Sequence, residues 1–142
     1  MESTFQNQAF VAARTSPKAN SIFYWVSTAI FCLEMAFTAY YELLPQGAQA
    51  FLRLGFSAGA FRMELSLAKL VGVAVLLIPI VPARLKEWAY AGFAINLVSA
   101  VIAHFSISDR PAALVPSSIT SVLWALSYFF WRRLQAEQMR RM

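Results

Sequence analysis

The sequence predicts an all-α integral membrane protein, a four-helix bundle with both ends on the cytoplasmic side (N-in/C-in). Three observations carry this. Of 142 residues, 59% are hydrophobic and 13% charged, against about 45–50% and about a quarter in soluble domains. The apolar residues fall into four runs, each close to the ~20 residues that cross a bilayer as a helix. Basic residues then collect beside one set of run ends.

Residues 1–20 contain no continuous apolar core and are expected to be a flexible cytoplasmic tail, not a cleaved signal peptide. The bundle itself is expected over 21–134. Its first span, about 22–44, has one strongly unfavourable interior residue, Glu34, and is stopped by Pro45 and Gly47. Residues 45–61 (PQGAQAFLRLGFSAGAF) are too apolar for a freely solvated loop, with Phe51, Leu52, Leu54 and Phe56 around Arg53. They are expected to lie as an interfacial or re-entrant segment on the outer mouth. The second span, about 63–81, ends at Pro79 and Pro82, and a tight hairpin leads into the third, about 85–105. A short polar turn precedes the fourth, about 112–131, where Pro116 is tolerable in the first turns. Residues 135–142 read as a basic cytoplasmic tail. Runs this long and apolar can satisfy their backbone in lipid only as helices.

Orientation follows from the basic residues near span ends. Arg14, Lys18, Arg84, Lys86, Arg132, Arg133, Arg140 and Arg141 fall on one side, eight in all, against three (Arg53, Arg62 and Arg110) on the other. Trp25, Trp88 and Trp131 sit near the inner ends of their spans, as an interfacial aromatic belt requires.

The net charge of +5 does not point to nucleic acid, because the basic residues flank apolar runs and form no patch with stacking aromatics. Lipid headgroups are the better partner. One cysteine, Cys32, and one histidine, His104, allow no disulfide, redox pair or metal constellation. No Gly-rich phosphate loop or nucleophile elbow is present, so no cofactor is expected.

The informative residues are the polar ones inside the spans. Each ionisable side chain there costs about 2.5–3.5 kcal/mol on insertion scales, so it needs a partner or a purpose. Counted inward from Glu42, Glu64 and His104 at 1.5 Å per residue, Glu34, Lys69 and Asn96 lie about 12, 8 and 12 Å deep, in one layer. Glu64, His104 and Asp109 lie above it. Ser27, Glu34, Thr38 and Tyr41 share a helical face, and Trp124 lies on the polar-aromatic face of the fourth span with Ser117, Ser121, Tyr128 and Trp131. Glu34 and Lys69 are expected to point inward and interact. Their pairing admits two readings: an ion pair that fixes helix packing, or one wall of a ligand cavity. In the second reading Glu34, His104 and Glu64 are the candidate acid–base groups. Lys69, Asn96, Tyr41, Trp124 and Asp109 are the candidate ligand-binding groups.

The segments FRMELSLAKLVGVAVLLIP and LKEWAYAGFAINLVSAVIAH, with the following Asp109, resemble the DoxX-like family of small bacterial membrane proteins. The pattern E-x-x-x-A-K-x-x-G, then E-W-A-Y-A-G, then a helix ending in A-H before an acidic turn, falls on Glu64, Lys69, Gly72, Glu87, Trp88, Tyr90, Gly92, His104 and Asp109. The resemblance covers about Tyr24 to Arg133. It implies a four-helix membrane fold in the bacterial inner membrane and is weak as to activity. The family's name comes from a subunit associated with a thiosulfate:quinone oxidoreductase, and other relatives are linked to redox and detoxification contexts.

Two functions compete. In one, a lipophilic small molecule (a quinone, an isoprenoid or another ring compound) enters between the helices. Proton transfer, as in an isomerisation or cyclisation, is the chemistry these side chains could support alone, with Lys69 stabilising developing negative charge. In the other, the chain is a non-catalytic membrane subunit that assembles with or anchors partner proteins, as a homo-oligomer or beside a different subunit.

Overall fold

The computed structural model describes residues 17–56, 59–108 and 110–141. Among them the chain is all-helical, with no strand: α1 Pro17–Leu43, α2 Pro45–Arg53, α3 Ala60–Leu77, α4 Ala83–Ser106 and α5 Pro111–Met139. Prolines set most of the boundaries. Leu44, Ile78 and Arg110 each precede a proline and are extended, because the proline ring disfavours the helical conformation in the residue before it. Pro45 and Pro111 then open α2 and α5, where a missing N–H costs nothing. Gly55, with φ +82°, supplies the left-handed residue that turns the chain after α2.

At 27, 24 and 29 residues, α1, α4 and α5 each exceed the ~30 Å hydrocarbon core at about 1.5 Å per residue. These three helices are long and apolar enough to cross a membrane. Helix α3 is shorter, 18 residues, and carries Arg62 and Glu64 near its start and Lys69 at its middle. Helix α5 runs on to Met139, past the expected end of its span. Residues such as Arg132, Leu134, Gln135 and Glu137 are good helix formers, so the helix continues where its apolar character stops.

Helix α1 packs on α3 and α5, α4 packs on the same two, and α2 folds back on α1. Antiparallel α1 and α5 are joined by three polar rungs. Asn20 donates to Glu137 at 2.6 Å, the hydroxyls of Thr28 and Ser127 meet at 2.6 Å, and Thr120 bonds the Glu34 carboxyl. Tyr90 from α4 joins the middle rung through Ser127, also at 2.6 Å. Around this rung lies the apolar core, with Phe31, Met35, Leu76, Phe93 and Leu97 buried. Phe93 meets Phe31 edge-on at 5.1 Å and lies flush against Gly72, where an added Cβ would approach the Phe93 ring to 2.8 Å.

The start of α1, the α3–α4 turn and the end of α5 gather at one end of the molecule. There Arg132 pairs with Glu87 at 3.0 Å. Buried Lys86 donates to the Leu76 carbonyl at 3.2 Å, placing an ammonium on the orphan carbonyls and negative pole of the α3 C-terminus. The opposite end holds α2 and the polar residues described next.

Candidate functional site

Helix α2 decides the shape of this end. Gly47 meets the end of α1 so closely that an added Cβ would sit 2.4 Å from the Tyr41 carbonyl oxygen. Gly47 and Phe51, one turn apart on the same face, are buried. Arg62 of α3 ties the junction, donating to the Glu42 carbonyl, which the end of α1 leaves without a helical partner, and to the Leu44 carbonyl, which also accepts the Ala48 N–H of α2. The segment expected as an interfacial or re-entrant loop is therefore a short amphipathic helix, followed by a turn. Phe51 is buried, Leu54 half-buried and Phe56 exposed at 36%.

Beneath α2 lies a cavity of about 510 Å³. Five of the eight candidate site residues, Glu34, Tyr41, Lys69, Asn96 and His104, share its wall with Phe51, Phe56, Phe61, Met35 and Thr120. A shallower groove of about 330 Å³ runs between α3 and α4 and shares Leu65, Lys69, Gly92 and Asn96 with the cavity. The groove is otherwise apolar, lined by Val71, Val75, Leu85 and Trp88 among others.

Glu34 and Lys69 line the same cavity but do not pair. Lys69 forms an ion pair with Glu42, the two side chains 7% and 13% exposed. Ser66, one turn away from Lys69 on α3, donates to the other Glu42 oxygen at 3.1 Å. Glu34 meets Thr120. The ammonium of Lys69 is thus matched by the Glu42 carboxylate. Of the three expected acid–base groups, Glu34 and His104 line the cavity.

The other expected residues lie elsewhere. Glu64 is exposed on α3 and lines none of the cavities described. Trp124 donates its indole N–H to the Tyr90 carbonyl at 3.0 Å and stacks on Tyr128 at 5.7 Å, in an aromatic cluster deeper in the molecule. Asp109 lies outside the described residues. Glu42, Ser66 and Thr120 are the site residues that sequence reasoning passed over. In the sequence Glu42 serves only as the outer reference point of its span. Ser66 and Lys69, spaced i and i+3, do share one helical face, and that spacing was the available signal.

Among the described residues no group of three or more His, Cys, Asp or Glu side chains comes together to hold a metal ion. No curated protein and no solved structure matches the chain significantly. Residues 26–126, well over half of the sequence, match the profile of the DoxX-like family. With its spanning-length apolar helices, the chain is a membrane protein and belongs to the DoxX-like family.

Proposed function

We propose that α1, α3, α4 and α5 span the bacterial inner membrane as a four-helix bundle, N-in/C-in, and that the cavity under α2 binds a small lipophilic molecule. The observation that carries the reading is the cavity itself. Its volume of about 510 Å³ falls within the ~300–1,000 Å³ of ligand pockets. Its wall mixes aromatic rings with a few polar groups, Glu34, Asn96 and His104, the composition that holds and orients a ring compound. The eight-to-three basic bias supports the orientation and puts α2 and the cavity at the outer face. The groove between α3 and α4 offers an apolar route from lipid. Proton transfer by Glu34 or His104, as in an isomerisation or cyclisation, is the chemistry within reach.

A second reading, a non-catalytic subunit that assembles with partner proteins, draws on the large apolar side chains outside the cavity, among them Leu33 (73% exposed), Ile80 (91%) and Trp88 (77%). Lipid covers such surfaces equally well. The test is native mass spectrometry of the protein purified in mild detergent, wild type beside Ala100→Phe, which fills the cavity from α4. Wild type is expected to retain a small lipophilic molecule that Ala100→Phe loses while still folding. Equal retention by both, or none by either, refutes the ligand reading and leaves the subunit reading.

A further inference from the structure

The charge balance of the cavity narrows the ligand class, on the premise that the cavity is a ligand site. Among the described residues its wall carries two carboxylates, Glu34 and Glu42, one ammonium, Lys69, and one imidazole, His104. Glu42 takes the ammonium of Lys69 and the hydroxyl of Ser66. Glu34 is left with a neutral partner. No cationic nitrogen lies within 4.0 Å of its carboxylate among the described residues; its hydrogen bond is to Thr120. A hydroxyl has one proton to give, and the Pro116 carbonyl, 2.9 Å from the same oxygen, competes for it. Helices α2 and α5 bring no charge to the wall.

A carboxylate in a lipid-surrounded cavity is costly until a positive charge meets it. The rest of the wall suits such a charge. Phe51, Phe56 and Phe61 form a continuous aromatic surface, with centroids 6.0 Å apart from ring to ring, and Tyr41 lies on the same cavity. Aromatic faces attract cations, above all quaternary ones that carry their own apolar groups. We propose that the cavity binds a lipophilic monocation, an amine, quaternary ammonium or phosphonium, whose charge sits against Glu34 and whose apolar groups pack on Phe51, Phe56 and Phe61. A neutral ring compound would fill the volume but leave the carboxylate unmatched.

The experiment compares three probes of similar shape on the full-length protein in phosphatidylcholine nanodiscs: tetraphenylphosphonium, its anionic counterpart tetraphenylborate, and neutral triphenylphosphine oxide. Empty nanodiscs correct for partitioning into lipid. Tetraphenylphosphonium is expected to bind saturably, and at least about tenfold tighter than the other two, the ratio that one charge-assisted contact supports. Glu34→Gln is expected to abolish that preference, and Glu34→Asp to retain it, with thermal unfolding of each variant read alongside. Equal binding of the cation and the neutral probe would overturn the charge assignment while sustaining the ligand cavity. An unchanged cation preference in folded Glu34→Gln would place the charge elsewhere and refute the proposal. Binding of none of the three probes would also refute it, and the cavity reading would then rest on the co-purification experiment alone. The wild-type comparison needs no variant, so a variant that fails to fold leaves the test intact.

Discussion

Removing Lys69 and Glu42 separately and together tests the electrostatic core of the cavity. In Lys69→Met, the Glu42 carboxylate keeps only the Ser66 hydroxyl at 3.1 Å as a side-chain partner. Breaking a fully buried pair costs about 3–5 kcal/mol. Glu42 retains 13% exposure and one hydroxyl, so the lower end, about 3 kcal/mol, is expected. In Glu42→Gln the ammonium still finds a neutral amide oxygen and loses chiefly the charge-assisted part of the bond, about 2 kcal/mol. The double variant has neither charge to desolvate and is expected to lose only about 2–3 kcal/mol, since the long methionine side chain keeps most of the packing. The two single losses together exceed the double by a coupling of about 2–3 kcal/mol.

The assay is reversible unfolding in mixed micelles, followed by the fluorescence of Trp25, Trp88, Trp124 and Trp131. A parallel cycle on Glu34→Gln and Lys69→Met serves as the control and should be additive to within about 0.5 kcal/mol. Strict additivity of the Glu42 and Lys69 losses, or stronger coupling of Lys69 to Glu34 than to Glu42, would refute the pairing and the charge balance built on it.

Three further outcomes are expected. Gly47→Ala would set a Cβ 2.6 Å from the Glu42 Cα, against backbone that cannot yield, so α2 should lift. Hydrogen exchange should rise in 45–56 and stay unchanged in the middle of α1 and α4. Gly72→Ala should lose about 1–3 kcal/mol by overpacking against Phe93. Gly92→Ala, with nothing within 4 Å of the new methyl, should be neutral or gain up to about 1 kcal/mol from helix propensity, and thermal unfolding separates the two. Cysteines placed at Lys18, Ala83 or Arg140 should be shielded from a membrane-impermeant reagent in intact cells, and one at Gln46 should be labelled. Native Cys32, 1% exposed, gives a silent background, and labelling at any of the first three would overturn N-in/C-in.

What was legible in the sequence divides along physical lines. Long apolar runs between prolines are a property of composition, so α1, α4 and α5 could be read directly. The helix α2 could not be told from a loop by apolarity alone. Its signal was geometric: Pro45 at the first helical position, then Gly47 and Phe51 one turn apart on a buried face. Gly47 in particular is explained only by the backbone it touches. Glu34, Lys69, Asn96, Tyr41 and His104 were found as candidates because a polar side chain in an apolar run stands out without any structure. Trp124 stood out on its helical face for the same reason. Its neighbours Tyr90 and Tyr128 show it packed in aromatic company, which spacing along one helix does not reveal. Thr120 was missed because a threonine in a membrane helix is unremarked until a carboxylate stands opposite.

The mistaken pairing of Glu34 with Lys69 has a definite cause. Depth was counted from one Cα to another, yet the charges sit at the ends of side chains, and in a helix every Cα–Cβ bond leans towards the N-terminus. Helices α1 and α3 are antiparallel, since the end of α1 meets the start of α3 through Glu42, Ser66 and Arg62. Glu42 on α1 therefore leans inward while Lys69 on α3 leans outward, and the lysine stem adds several ångströms of reach in that same direction. Their heads converge from Cα positions that the depth count had separated. Glu34 leans inward as well, away from Lys69, and meets α5, which runs antiparallel to α1 and turns Thr120 outward towards it. Depth alone thus assigns a layer, and the partner follows from the direction each helix runs. The same geometry explains why, among the described residues, Glu34 has no cation beside it: the ammonium of Lys69 leans towards Glu42, and Glu34 meets Thr120 instead.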